Sequence, residues 1–231
     1  MIDRLPATLW DDVRTSLDER GYQVLPSLLD RDTCEDLAAG YDSNQFRSTI
    51  VMARHGFGRG EYKYYRYPLP RIIAELRPAL YERLVGIAND WQDALGSDIR
   101  YPGRHEDFLA RCGAAGQTRP TPLILRYGAG DYNCLHQDLY GENVFPLQVA
   151  ILLSDPASFS GGEFILTEQR PRRQSRARVV PLNQGDAVIF PVRDRPVRGT
   201  RGFYRAQHRH GVSEIRSGER HTLGIILHDA A

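Results

Sequence analysis

The stretch Arg126-Tyr127-Gly128-Ala129-Gly130-Asp131-Tyr132-Asn133-Cys134-Leu135-His136-Gln137-Asp138 is the part of the chain that decides how the rest is interpreted. In an extended strand, alternate side chains point to the same face, so His136 and Asp138 project together while Gln137 projects away. An imidazole and a carboxylate that converge in this way supply two ligands of the two-histidine-one-carboxylate arrangement that binds non-haem Fe(II). The pattern therefore predicts a metal site that needs one more ligand from elsewhere in the chain.

A second segment, residues 207–227, offers that third ligand. We predict strand, turn and strand here, because Ser217-Gly218 is a turn signal and the apolar run after it is long enough for a buried strand. On such a hairpin Arg220 would return alongside His210. His210 and His208 lie on the same strand face, so both are candidates for the third ligand. Zn²⁺ would suit the same residues, but a closed zinc site usually has a fourth protein ligand, and the sequence indicates none.

These spacings resemble those of the Fe(II)/2-oxoglutarate-dependent oxygenases. In that superfamily a His-x-Asp motif and a later histidine hold iron, and an arginine about ten positions after that histidine binds the distal carboxylate of 2-oxoglutarate. The resemblance implies that His136, Asp138 and His210 hold Fe(II), and that Arg220 binds 2-oxoglutarate. The offset to Arg220 and the following Gly-Val-Ser favour His210 over His208.

Two further motifs are similar to those of the prolyl-4-hydroxylase-like members. Residues 159–164 resemble their Gly-Gly-Glu turn and strand, and residues 184–190 resemble the beginning of the strand that follows. More closely, residues 161–172 resemble a bacterial family of oxygenases assigned to damaged nucleic acid. The resemblance as a whole covers about residues 120–229.

Two more side chains are expected to contact the carboxylate held by Arg220. Thr222 lies two residues after Arg220, on the same strand face, and could donate its hydroxyl group. Tyr127 matches a tyrosine that precedes His-x-Asp in prolyl-hydroxylase-like members, although a tyrosine of the hydrophobic core would look the same. The resemblance also implies the reaction: O₂ and 2-oxoglutarate are consumed, succinate and CO₂ are released, and a substrate C–H bond is hydroxylated or a methyl group is removed.

The pattern of apolar runs predicts a fold that is mainly β with some α. Eight short runs separated by turn signals follow residue 121, at 122–127, 134–138, 146–153, 163–167, 177–181, 186–192, 203–210 and 221–228. This pattern is typical of a jelly roll, or double-stranded β-helix.

Helical patterns precede this region. We predict helices over 8–20 and 31–40, a strand over 22–25, and an amphipathic stripe over 71–95 that breaks at Pro78. We therefore expect one domain, 1–231, in which residues 1–120 form a helical and strand support packed outside a jelly-roll catalytic core, 121–231.

Composition indicates the size of the core, the absence of a disulfide framework and the expected location of the protein. Its 231 residues, 41% of them apolar, can bury one sizeable core. Three cysteines without paired spacing argue against a disulfide framework. Residues 1–6 show no leader pattern, and no apolar run approaches the length of a membrane span, so we expect a cytoplasmic protein without a membrane contact.

Charge is spread unevenly along the chain, although the net charge is only +1. Between residues 163 and 209, eleven arginines face four acidic residues. Five of these arginines lie in the predicted loop Arg170–Arg178, which could meet the phosphates of a nucleic acid, an acidic protein segment or an acidic small molecule, or could simply be solvated. Because Lys63 is the only lysine, arginine usage is partly a bias of composition.

Residues 55–70 interleave four tyrosines with Lys63 and Arg66. Aromatic side chains beside cations can stack on bases and neutralise phosphates. The simpler interpretation is a strand whose tyrosine rings pack inside, preceded by a glycine-rich loop that could cover an active site.

Two alternatives to the oxygenase remain at this stage. The same ligands would serve a cupin-like metalloenzyme that needs no 2-oxoglutarate. A non-catalytic jelly-roll binding module would keep the fold without the chemistry.

Overall fold

The computed structural model describes the backbone of residues 7–231 and the side chains from Trp10 onward. Residues 1–6, which carried part of the expectation about location, lie outside the described residues. The helices are α1 (Ala7–Arg20), α2 (Arg31–Ala39), α3 (Arg71–Ala94) and α4 (His105–Ala114). The strands are β1 (Gln23–Leu25), β2 (Phe46–Val51), β3 (Gly58–Arg59), β4 (Glu61–Tyr65), β5 (Leu123–Tyr127), β6 (Tyr132–His136), β7 (Leu147–Leu152), β8 (Phe159–Gly161), β9 (Phe164–Gln169), β10 (Arg176–Val180), β11 (Ala187–Pro191), β12 (Asp194–Gly199), β13 (Gly202–Val212), β14 (Ile215–Gly218) and β15 (Arg220–Ile226).

Two antiparallel sheets form the β core. The major sheet has seven strands in the order β1-β11-β7-β15-β5-β4-β2, and the minor sheet has the order β10-β9-β13-β6-β3, with β12 also paired to β13. Alternation of side chains along β15 sends Leu223 and Ile225 to one face of the major sheet and Thr222 and Gly224 to the other. The helices pack on the first face, and the second face looks toward the minor sheet.

The fold class predicted from the sequence is confirmed, because helices pack outside an antiparallel jelly roll. Each of the eight predicted strands from residue 121 onward has a counterpart within two residues at either end, β13 included. Helices α1 and α2 also lie where they were predicted, and the Asp30 side chain caps α2 by accepting a hydrogen bond from the Thr33 amide, 2.9 Å. The division into a support region and a catalytic core remains a prediction.

The predicted break at Pro78 is wrong. Helix α3 continues through Pro78 to Ala94. A proline inside a helix removes one backbone hydrogen bond at a cost of about 3 kcal/mol. Burial of a stripe of side chains along the whole helix offsets that cost, since residues on both sides of Pro78, among them Ile73 and Leu84, are fully buried.

The predicted hairpin that would bring Arg220 alongside His210 is also wrong. Strand β13, which carries His210, belongs to the minor sheet, whereas β15, which carries Arg220, belongs to the major sheet. The chain changes sheets through β14, which pairs with β8 rather than with β13. His210 and Arg220 therefore come from different sheets, and Arg220 is linked to the cavity wall by its hydrogen bond to Thr222.

The tyrosine-rich stretch forms β4, which lies between the edge strand β2 and β5 of the major sheet, and its simpler interpretation predicted a strand here. Tyr64 and Tyr65 are buried there. The glycine-rich loop before it lies against the minor sheet, where Gly58 pairs with Asn133 on β6. Among the described helices, none combines the length and the apolar character needed to cross a bilayer.

Candidate active site

Three side chains meet between the two sheets. His136 ends β6, Asp138 follows it, and His210 lies opposite His136 on the paired strand β13. The Nε2 atom of His210 is 3.3 Å from Asp138 Oδ2, and that of His136 is 3.6 Å from Asp138 Oδ1. All three ligand atoms lie within 4.8 Å of one another. Two imidazoles and a carboxylate in one corner form a donor set that suits a divalent metal and contributes only three ligands.

The surroundings favour the charged carboxylate of Asp138 and the neutral imidazole of His210, the protonation states that bind a metal. Burial alone would raise the pKa of the Asp138 carboxyl, but hydrogen bonding and charge from His210, His136 and Tyr140 hold it well below its usual range. Burial also lowers the pKa of His210, which favours the neutral imidazole. His136 is oriented by a 2.8 Å hydrogen bond between its Nδ1 and the Cys134 carbonyl oxygen.

His208, the rival third ligand, belongs to a different cluster. Its Nε2 atom is 3.5 Å from Glu168 Oε2 and 3.4 Å from Arg195 Nε. Arg195 in turn forms an ion pair with Glu168 and donates to the Asp18 carbonyl oxygen, so this cluster ties α1 to the minor sheet. The structure brings His210 to His136 and Asp138, and it leaves His208 apart from them.

Arg220 is a buried cation that has no carboxylate partner among the residues whose side chains the structure describes. Its side chain is 1% exposed, and no described carboxylate lies within ion-pair distance of it. One Nη donates to Thr222 Oγ1, while Nε has no hydrogen-bond partner among the described residues. Burial lowers the pKa of Arg220 to about 10. A guanidinium in this state favours an incoming anion, and a carboxylate matches its geometry.

Gly162, in the Gly-Gly-Glu motif, makes room for Arg220. Its φ is +67°, and a Cβ atom at this position would lie 2.9 Å from Arg220 Cδ and 2.3 Å from Ile215 Cδ1. Any side chain here would displace the guanidinium or the apolar residue beside it.

The two further residues expected at the carboxylate lie close to Arg220. Thr222 accepts the hydrogen bond just described and lines the cavity. Tyr127 is fully buried, also lines the cavity, and its ring centre is 5.9 Å from the Arg220 guanidinium carbon. Its hydroxyl accepts a 3.3 Å hydrogen bond from Asn133. Their contact with a bound carboxylate remains a prediction.

A cavity of about 200 Å³ lies over the three metal-ligand candidates. Its wall is mostly apolar, with Phe164 and Phe190 packed against the His210 ring, the latter at 4.8 Å between ring centres. Phe57, from the glycine-rich loop, lies at the opening with 46% of its surface exposed and stacks on His55 at 5.3 Å. A largely apolar chamber with a few converging polar groups is typical of small-ligand sites.

The arginine-rich loop lies away from this cavity. It joins β9 to β10, and none of its residues is among the described residues of the cavity wall. Since His210 pairs with Leu166, the loop begins four residues further along β9, roughly 13 Å away. Arg170 is bound to Glu168 at 2.6 Å, whereas Arg172, Arg173 and Arg176 are exposed.

Among the wall residues that sequence reasoning missed, two are polar side chains with a direct bearing on the site. The Tyr140 hydroxyl donates a 2.6 Å hydrogen bond to Asp138 Oδ1, and the side chain of Gln148 faces the cavity from β7. Both had a signal: Tyr140 repeats the two-residue spacing of His136 and Asp138, and Gln148 is the only polar residue in the apolar run of β7.

The comparison with protein families indicates an oxygenase. A profile of the Oxygenase-NA family, described as "oxygenase, catalysing oxidative methylation of damaged DNA", matches residues 60–230. An uncharacterised protein of Mycobacterium tuberculosis is 56% identical over 165 residues, which are 71% of each chain.

Solved structures show the same fold. A member of the 2OG-Fe(II) oxygenase family from Burkholderia pseudomallei has a TM-score of 0.55 at 18% identity, covering 96% of this chain and 92% of that one. A Trichoplax adhaerens prolyl hydroxylase, bound to a peptide of the hypoxia inducible factor oxygen degradation domain, has a TM-score of 0.59 at 13% identity, with coverages of 94% and 87%. At these identities the likeness concerns the fold alone, whereas the match to the family profile confirms the resemblance stated from the motifs.

Proposed function

Because this chain belongs to the Oxygenase-NA family, we propose that it uses Fe(II), O₂ and 2-oxoglutarate to oxidise a C–H bond of a nucleic-acid base, most simply a methyl group on a damaged base. An oxygenase acts on a methyl group by oxidising it, so the change we propose is its removal. One O₂ and one 2-oxoglutarate would give succinate, CO₂ and a hydroxymethyl base, which then releases formaldehyde.

One observation carries the choice of cosubstrate. Arg220 is a fully buried guanidinium without a carboxylate partner among the described residues, and it is hydrogen-bonded to a residue of the cavity that holds His136, Asp138 and His210. An unpaired buried charge is costly, so it favours a ligand that brings the missing carboxylate. A cupin-like metalloenzyme without a keto acid would have no use for this cation.

Each group of residues in the site has its own proposed role. His136, Asp138 and His210 would hold the ferrous ion, which supplies the open coordination positions at which O₂ and the keto acid react. Arg220 and Thr222, with Tyr127 beside them, would hold the distal carboxylate and so orient the keto acid toward that corner. Phe164 and Phe190 line the chamber with apolar surface, which excludes water from the reacting groups.

Two features support a nucleic acid as the substrate. The family description names damaged DNA. The outward-facing positions of β9 and β13 carry arginine, glutamine, threonine and apolar side chains and no carboxylate, and the loop beyond β9 exposes Arg172, Arg173 and Arg176. Such a surface can meet phosphates while a single base enters the cavity past Phe57.

Succinate release from 2-oxoglutarate tests the proposal. With Fe(II) and a single-stranded oligonucleotide carrying one N-methylated adenine, the wild type should form succinate and formaldehyde. Arg220→Ala should raise the KM for 2-oxoglutarate at least about 30-fold, because it removes one partner of a buried charge pair. Arg71→Ala, an exposed arginine on α3, is the matched control and should leave this KM unchanged.

Two results would count against this function. If the wild type formed no succinate, a metalloenzyme without a keto acid, or a binding module, would become the better interpretation. If succinate formed but the methylated oligonucleotide stayed intact while a peptide was hydroxylated, the reaction class would stand and the substrate class would be wrong.

A further inference from the structure

Gln148 is a buried amide in the wall of the cavity. It lies on β7, is 3% exposed, and its Nε2 group has no hydrogen-bond partner among the described residues. A buried donor left without a partner costs roughly 1–3 kcal/mol. Such a group in a ligand chamber indicates a hydrogen bond that a ligand completes.

The other polar groups of the wall are already engaged. Outside the proposed metal ligands, the described polar side chains have these partners: Tyr62 with Tyr64, Tyr127 with Asn133, Gln137 with the His208 carbonyl oxygen, Tyr140 with Asp138 and Thr222 with Arg220. Among these described polar side chains, outside the metal ligands and the Tyr127 and Thr222 hydroxyls assigned to the keto acid, Gln148 is the one with a buried donor that has no partner.

The row of residues around Gln148 is apolar. Across the major sheet its registered neighbours are Phe190 on β11 and Ile226 on β15, and all three line the cavity. Side chains in register on one sheet face lie side by side. The amide is thus flanked by an aromatic and an aliphatic group, which is a setting for a flat ring that hydrogen-bonds along its edge.

Gln148 lies at the opposite end of the cavity from the proposed carboxylate site. Ile226, its neighbour on β15, is four residues from Thr222, which is about 13 Å along a strand. Between them lie Ala150 and Gly224, whose small size leaves the floor of the cavity open. A carboxylate held at Thr222 is too far away to satisfy the amide.

We propose that Gln148 reads the hydrogen-bonding edge of the substrate base. This inference rests on the proposed function and specifies how it selects its substrate. A glutamine amide offers a donor and an acceptor side by side, which match the ring nitrogen and exocyclic amino group of adenine. Enzymes that act on extruded bases read them through such bonds, together with apolar stacking.

Two substitutions remove the amide with little change of volume, Gln148→Leu and Gln148→Met. The probe is the single-stranded oligonucleotide with one N-methylated adenine, and kcat/KM is measured separately for the oligonucleotide and for 2-oxoglutarate. We expect kcat/KM for the oligonucleotide to fall about 10- to 100-fold, as the loss of one such base contact predicts. The KM for 2-oxoglutarate and succinate release without the oligonucleotide should change less than about twofold, by the distance argument above. Gln92→Leu, on α3, serves as the control and should match the wild type.

The melting temperature distinguishes a role of Gln148 in substrate recognition from a structural role. Because the variants remove an unpaired buried donor, they should melt at the same temperature as the wild type or higher. A lower melting temperature would assign Gln148 a structural role, and a rise in KM for 2-oxoglutarate would assign it to the cosubstrate. Either result overturns the inference, as does an unchanged kcat/KM for the oligonucleotide. If the wild type released succinate but neither bound nor oxidised the oligonucleotide, the inference about Gln148 would be wrong while the oxygenase assignment stood. If the wild type released no succinate, the proposed function itself would be wrong.

Discussion

The residues around the proposed metal site differ in how well the sequence alone predicts their roles, and Asp138 is the most predictable case. Its pairing with His136 follows from a two-residue spacing within one segment, and the choice of His210 followed from a family offset. The roles of Tyr140 and Gln148 depend on which side chains surround them in space, so motif spacing could not assign them. A polar residue in an apolar strand indicates a functional role, but the pattern does not identify the ligand that the residue binds.

Tyr140 should matter for metal affinity. Burial, and then the negative charge of Asp138, raise the pKa of Tyr140, so its hydroxyl stays protonated and donates to Asp138 Oδ1. Tyr140→Phe should weaken Mn²⁺ binding, measured by equilibrium dialysis, about 10- to 100-fold, as is typical when a partner that orients a metal ligand is lost. Tyr22→Phe, outside the cavity wall, should bind Mn²⁺ like the wild type. Equal affinities in all three proteins would show that Tyr140 does not position Asp138.

Strands and helices were predictable where their side-chain pattern was regular. The eight strands after residue 121 alternate or form apolar runs, and these patterns survive in the structure. Strand β12, Asp194–Gly199, was missed because its charged residues and Pro196 resemble a loop; pairing with β13 determines it. The connection through β14 was also missed, because a turn signal does not say which sheet receives the next strand.

The contact between α4 and Leu227, the residue that follows β15, should make the fold sensitive to acid. His105, the first residue of α4, is 4% exposed, lies against Tyr81, and its Nε2 is 2.8 Å from the Leu227 carbonyl oxygen. Burial, and then the charge of Arg77, lower the pKa of His105 to about 4. Between pH 6.5 and 4 the unfolded chain therefore binds a proton at this residue that the native state does not, and the free energy of unfolding falls as the pH falls.

Urea unfolding at several pH values measures this effect. His105 should account for a loss of about 3 kcal/mol between pH 6.5 and 4, and for no further loss below that range. His105→Gln keeps a hydrogen-bond donor and cannot titrate, so its stability should fall by about 3 kcal/mol less than that of the wild type over the same interval. Parallel curves for the two proteins would contradict the assignment.

At the scale of the whole molecule, the exposed arginines of the loop between β9 and β10 are separate from the cavity. The cavity holds the chemistry between the sheets, whereas exposed arginines gather on the loop between β9 and β10, roughly 13 Å or more along the strand from His210. The sequence indicated the positive segment, but only the register of β9 on β13 places it outside the cavity. A long substrate would touch both places, with its backbone on the loop and one base inside.

Salt dependence of binding tests this arrangement. If Arg172 and Arg173 meet phosphates, replacing both by serine should make the plot of log Kd against log salt concentration shallower by about 1.4 for a single-stranded oligonucleotide. The double change Arg71→Ser and Arg104→Ser removes the same charge from the helical side, where both arginines form exposed ion pairs, and should leave the slope unchanged. Equal slopes for the wild type and the loop variant would remove the loop from the binding surface.

The central claim is that a metal held by His136, Asp138 and His210 shares the cavity with a keto acid anchored by Arg220. An anomalous-difference map from a crystal grown with Mn²⁺ and 2-oxoglutarate tests it most directly. The account predicts one strong peak bonded to the three side chains, with the distal carboxylate of the keto acid paired to the Arg220 guanidinium. A peak elsewhere, or a keto acid that leaves Arg220 without a partner, would contradict it.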